Sequence, residues 1–86
     1  MKQYEKSLKA LANGRRLDIV KFLKEKKEAS VGDIAEHIKL SFKATSRHLS
    51  VLAGADIVEK EQRSLSCFYS LAPKLSQVVK AVISII

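Results

Sequence analysis

Residues 30–52 read SVGDIAEHIKLSFKATSRHLSVL, and this stretch decides the fold. Ser30, with Asp33 three residues later, resembles a capping box that carries an acid where Glu or Gln is usual. Ile34, Ala35 and Ile38 then share one side of a short helix over Val31–Ile38. Lys39-Leu40 is the turn, and Ser41 caps a second helix over about 42–53. In that helix Leu49 and Leu52, with Thr45 one turn earlier, share a face. Lys43, Ser46, Arg47 and Ser50 fall at i, i+3, i+4 and i+7, a single polar stripe on the opposite side. A short helix, a tight turn and a second short helix make a helix-turn-helix candidate.

The flanks extend this unit. Tyr4, Leu8 and Leu11 fall on one side of a first helix over roughly 2–12. Asn13-Gly14 breaks it, and Asn13 is the N-cap of a helix over about 14–27. Leu17, Ile19, Val20, Phe22 and Leu23 cover a wide arc there, as expected of a central helix packed on more than one side. After Gly54-Ala55-Asp56 the period changes. Ile57–Glu61 and Leu65–Leu71 read as strands, rich in β-branched and aromatic residues. The connection Gln62-Arg63-Ser64 lacks Asn-Gly or Asp-Gly, so a looser loop is expected in place of a two-residue turn. Pro73 is suited to the first position of a last helix, in which Leu75, Val78, Val79, Val82, Ile83 and Ile86 recur at helical spacing. Its β-branched run is also compatible with a strand. The expected class is mainly α with a small β-hairpin: a winged helix-turn-helix with helix order H-H-H-H-wing-H, one domain over 1–86.

The 86 residues suffice for one small domain with a modest core. Hydrophobic residues make up 47%, which excludes a disordered tail. The net charge of +7 points to an anionic partner. The single cysteine, Cys67, excludes an intrachain disulfide, and a cytoplasmic location is expected. MKQYEKSLKA has no apolar signal-peptide core. The longest apolar run, near Ala81–Ile86, is far too short to span a bilayer.

Three segments carry a resemblance: LKALANGRRLDIVKFL, EASVGDIAEHIKLSFKATSRHLSVL and AGADIVEKEQRSLSCFYSL. Together they look like the ArsR-type winged-helix repressors, whose pattern runs LKALA…RL, then a DLA helix, then an LS…S-x-HLxVL recognition helix and a wing ending in a tyrosine-rich strand. The match covers nearly the whole chain. Its most specific part is Leu40-Ser41 followed by Ser46-Arg47-His48-Leu49-x-Val51-Leu52. The resemblance implies a homodimer on pseudo-palindromic operator DNA, joined through the first and last helices, that represses transcription. Three departures stand out. Asn13-Gly14 replaces the Asp-Pro before the central helix, and Asp56 replaces a glycine before the wing. Ser30-Val31-Gly32 stands where metal-sensing members carry Cys-Val-Cys, and residues 74–86 hold neither the Asp nor the His of zinc-sensing members. No metal and no cofactor are expected. The resemblance implies repression often relieved by an inducer, whose identity the sequence does not give.

On any amphipathic helix the polar stripe is ordinary solvated surface. On the second helix of a helix-turn-helix it becomes a reading surface, because the N-terminal residues of such a helix face base edges in the major groove. Arg47 can donate two hydrogen bonds to guanine O6 and N7, and Lys43 can do so less rigidly or hold a phosphate. Ser46 and Ser50 can bond to bases or backbone, and Ser41 and the helix N-terminus suit a phosphate. Arg63 is a candidate for the minor groove or a phosphate, or a solvated turn residue. Lys39, Lys60 and Arg16 are further phosphate candidates. Phe42 either meets a thymine methyl or packs on the preceding helix, with packing favoured. His48 reads as a hydrogen-bonded structural residue, His37 as surface and Cys67 as a small buried hydrophobe, with a redox-responsive or intersubunit thiol as the alternative for Cys67. Tyr4, Leu8, Leu11, Leu75, Val78, Val79, Val82, Ile83 and Ile86 are the expected dimer interface. The last helix carries only Lys74 and Lys80, too few cations for a membrane-surface helix. No nucleophile–base constellation or Gly-rich phosphate loop is present, so catalysis is not expected. Sequence-specific binding to double-stranded DNA is the reading. The alternatives are a protein-interaction module that keeps the fold without the DNA role, or a non-specific DNA-binding protein.

Overall fold

The computed structural model describes all 86 residues. The elements run α1 (Lys2–Leu11), α2 (Gly14–Lys26), β1 (Glu28–Ser30), α3 (Val31–Ile38), α4 (Phe42–Gly54), β2 (Val58–Arg63), β3 (Ser66–Leu71) and α5 (Gln77–Ile85). The three antiparallel strands are ordered β1-β3-β2. This is a winged helix-turn-helix: α3 and α4 form the helix pair, and β2–β3 form the wing.

Local chemistry sets the helix boundaries. Asn13, Ser30 and Ser41 each accept from the backbone N–H three residues on, at 3.1 Å. Each satisfies a donor that the first helical turn leaves without a partner. Lys39 ends α3 in the left-handed region (φ 58°), and the Lys39 and Leu40 amides both return to the Ala35 carbonyl. This tight reversal swings α4 across α3. Asp56 also adopts a left-handed φ of 59°, the conformation a glycine would favour before the wing.

One core joins the elements. Ile19, Val20 and Leu23 of α2 meet Ile34 and Ile38 of α3, Leu49 and Leu52 of α4, Ile57 and Val58 beside the wing, and Val79 and Ile83 of α5. Burying such side chains contributes about 1.5–3 kcal/mol each. The inner face of α4 is thereby fixed, which leaves its opposite face pointing outward.

Three local features depart from the sequence reading, while the last helix is helical as expected. The hairpin loop is shorter than expected: Arg63 pairs with Ser66, leaving only Ser64-Leu65 between the strands. Ser64 takes φ 56°, so a serine accepts the positive φ that glycine usually supplies. Pro73 lies outside the last helix. Ser76 caps it instead, accepting from the Val79 N–H at 3.3 Å. The β-branched run after it is helical because Val79 and Ile83 are one turn apart and both enter the core. Finally, β1 is a strand that no sequence signal announces, pairing Glu28, Ala29 and Ser30 with Ser70, Tyr69 and Phe68.

Candidate nucleic-acid interface

On α4, Thr45, Leu49 and Leu52 are fully buried, while Lys43, Arg47 and Ser50 are exposed and Ser46 is half-buried. The predicted stripe is thus one outward face. The helix contains no acid, and neither Lys43 nor Arg47 enters an ion pair. The Ser41 hydroxyl accepts from the Ala44 N–H and keeps its own proton to donate. Lys39 is exposed in the turn just before. Lys60 is exposed and unpaired on β2, opposite Tyr69.

Arg16 is placed differently. Its Nε donates to the Ala10 carbonyl (2.5 Å), one Nη to the Lys9 carbonyl (3.3 Å) and the other to His48 Nδ1 (3.2 Å). All three guanidinium nitrogens therefore tie the end of α1 to α4. Because arginine can only donate, His48 Nδ1 accepts and its proton sits on Nε2. Burial lowers the His48 pKa, and the Arg16 and Arg15 charges add to this. Arg15 donates to the Ile38 carbonyl at the end of α3. It therefore fixes the helix pair from behind, a role that no local motif signals.

Arg63 is also occupied. Its two Nη atoms meet the two oxygens of Glu28 at 2.8 and 2.7 Å. Its Nε and one Nη meet Glu61 Oε1 at 3.0 and 2.6 Å. The guanidinium carbon lies 4.7 Å from the centroid of the Phe68 ring. Hydrogen bonds from Arg63 hold the Glu28 carboxyl below its ordinary pKa, and those carboxylates raise the arginine's. Glu61 and Arg63, two apart on β2, share a strand face, which the sequence alone shows. Glu28 is beyond the reach of sequence reasoning, because nothing local marks β1.

The apolar residues of α1, of α5 and of the positions flanking α5, Leu75 and Ile86, divide in two. Leu11, Val79 and Ile83 are spent in the chain's own core, at 4%, 2% and 8% exposure, so a partner cannot reach them. This corrects their expected place in an interface. Tyr4, Leu75, Val78, Val82 and Ile86 are half-buried, and Leu8 is exposed. Ile85, which the periodicity does not select, is 81% exposed. Cys67 is half-buried. His37 is a surface residue that stacks on Phe22, with ring centroids 4.2 Å apart. No three His, Cys, Asp or Glu side chains converge as metal ligands, and no helix is long and apolar enough to cross a membrane.

Residues 13–60 match the family described as bacterial regulatory protein, arsR family. The transcriptional activator HlyU of Vibrio cholerae serotype O1 is 38% identical over 79 residues, covering 92% of this chain and 69% of HlyU. The structure of reduced HlyU superposes with a TM-score of 0.84 at 36% identity, over 98% of this chain and 84% of that one. The arsenical resistance operon repressor of Bacillus subtilis is 31% identical over 71 residues, 83% of this chain and 68% of that protein. A homodimeric winged helix-turn-helix DNA-binding domain from Mycobacterium bovis has a TM-score of 0.83 at 28% identity, over 98% and 74% of the two chains.

Proposed function

Because the chain belongs to the arsR family of bacterial transcriptional regulators, which are not enzymes, we propose that it binds a pseudo-palindromic operator as a homodimer and represses transcription. The observation that carries this reading is the outer face of α4. Lys43 and Arg47 are exposed there, free of acids, on a helix whose first turn is capped and whose opposite face is locked in the core. Arg47 reads a guanine, Lys43 a guanine or phosphate, and Ser46 and Ser50 bases or backbone. Ser41, Lys39 and Lys60 hold phosphates. Arg16 leaves the DNA-binding set, since its donors are committed within the fold. Arg63 is kept as a wing residue whose charge is offset by Glu28 and Glu61.

The dimer forms through Tyr4, Leu8, Leu75, Val78, Val82 and Ile86, joined by Ile85. Exposed apolar surface on α1 and α5 supports this, as does the homodimeric Mycobacterium bovis domain. A two-fold axis then sets the two copies of α4 about 34 Å apart, in successive major grooves. Relatives include both an activator and a repressor. We favour repression because occupancy of a promoter suffices for it, whereas activation needs a further contact to the polymerase. The chain works in the cytoplasm without the family's metal sites: Ser30-Val31-Gly32 supplies no thiolate, and α5 has neither Asp nor His.

Selection of bound sites from random duplexes, with sedimentation to fix the oligomer, tests this. A two-fold motif bound by a dimer is expected. Tight, steeply salt-dependent binding with no motif would indicate a non-specific DNA-binding protein, and no duplex binding an interaction module.

A further inference from the structure

Phe42 occupies the first turn of α4, directly after the Ser41 cap. The sequence favours packing for this ring, yet it is 63% exposed. It lines a groove of about 290 Å³ that also includes Leu65 at the tip of the wing. Val31, Gly32 and Cys67 also line the groove. Leu65 is 99% exposed, and with Arg63 held against Glu28 and Glu61 it is the apolar side chain that projects from the tip. Two large apolar side chains thus line the groove between the reading helix and the wing, and no part of the chain covers either.

The occupant follows from the neighbours. Phe42 and Ser46 are four apart and form a row beside Lys43, Arg47 and Ser50 on the same helix. The ring therefore continues a surface that carries cations and hydroxyls and no acid. It lies at the helical end that approaches base edges in helix-turn-helix docking. Along a major groove the apolar feature of a base edge is the C5-methyl of thymine. A ring excluded from the core, set at that end, has the thymine methyl as its complement.

We propose that Phe42 is a specificity-determining residue that reads a thymine methyl in each half-site. The inference rests on the operator-binding reading above.

Deoxyuridine lacks only the thymine methyl, so it probes the contact without disturbing the fold. Each thymine of the selected duplex is replaced in turn, and affinity is measured for the wild type, Phe42→Ala and Phe42→Gln. The expected result is one thymine per half-site whose replacement weakens wild-type binding about fourfold, the size set by burying one methyl group. The same replacement leaves both variants unaffected, and site selection with Phe42→Ala loses thymine at that position while keeping the rest of the motif. Equal deoxyuridine penalties in wild type and variants overturn the proposal, as does the absence of any penalty. If Phe42→Ala changes the sedimenting mass while thymine preference persists, the ring is a protein contact and the proposal fails. A wild type that selects no motif removes the operator reading, and this inference with it.

Discussion

Arg47 on α4 and Arg63 on the wing are both exposed arginines at the same candidate interface, yet only one is free. Arg47 has no acidic partner, whereas Arg63 makes hydrogen bonds to two carboxylates and lies over Phe68. Exposure therefore does not measure availability. A guanidinium that already has two carboxylates must exchange them to gain a phosphate, so its net gain is smaller than that of an unpaired cation. Arg16 extends the contrast: its donors are spent on Lys9, Ala10 and His48, and it acts as a brace behind α4.

The largest effect should come from the free arginine. Arg47→Ala is expected to lower affinity for the selected duplex by roughly tenfold to a hundredfold and relax one position of each half-site. If site selection returned the same motif at the same affinity, the contrast between the two arginines would collapse from the α4 side.

The wing gives the next test, through the dependence of log K on log salt. Lys43→Ala should reduce the slope by about 0.9 for each phosphate that the lysine neutralises. Arg63→Ala should reduce it by distinctly less, because its charge is already offset. Glu28→Gln should tighten binding slightly and steepen the slope, because it removes one of the two carboxylate charges that offset Arg63 and leaves the Glu61 pair in place. Equal slope changes for Lys43→Ala and Arg63→Ala would show that phosphate displaces the carboxylates, making the two cations equivalent.

The same division separates what is legible in the sequence from what is hidden there. The α4 stripe follows from spacings within one helix, and Asn13, Ser30 and Ser41 cap amides three residues away, so local pattern suffices. Arg16 and Arg63 depend on His48 and Glu28, 32 and 35 residues distant. Nothing periodic marks those partners. The strand β1 escapes a sequence reading because three residues are too few to show alternation, and the Ser64-Leu65 turn because serine replaces the glycine signal. Phe42 is hidden for a related reason: helical spacing puts it at the border of the buried face, and only the packed neighbours show that the core closes without it.

The inner face of α4 carries a smaller test. Thr45 is fully buried, and its hydroxyl has no hydrogen-bond partner. Replacing it by the near-isosteric valine removes an unsatisfied group without opening a cavity, and should stabilise the fold by about 1 kcal/mol. Urea unfolding measures this, while affinity for the selected duplex should stay unchanged. A stability gain together with altered base preference would mean that the two faces of α4 are not independent.

The smallest effect concerns the brace behind the helix. The His48 pKa is lowered, first by burial and then by the charges of Arg16 and Arg15. A histidine with a depressed folded pKa contributes most at a pH above its unfolded value of about 6.5. As pH falls through that value the unfolded chain takes up a proton that the folded chain resists, so stability declines. The decline ends once the folded imidazole is protonated too. Protonated His48 also loses the Nδ1 lone pair that accepts from Arg16, so the brace weakens in the same window. Glutamine can accept that bond without titrating. Urea unfolding at pH 7.0 and about 5.5 should therefore show a stability loss in the wild type that His48→Gln reduces. Equal losses in both proteins would place the acid sensitivity elsewhere, and Arg16 would then support α4 through the Lys9 and Ala10 carbonyls alone.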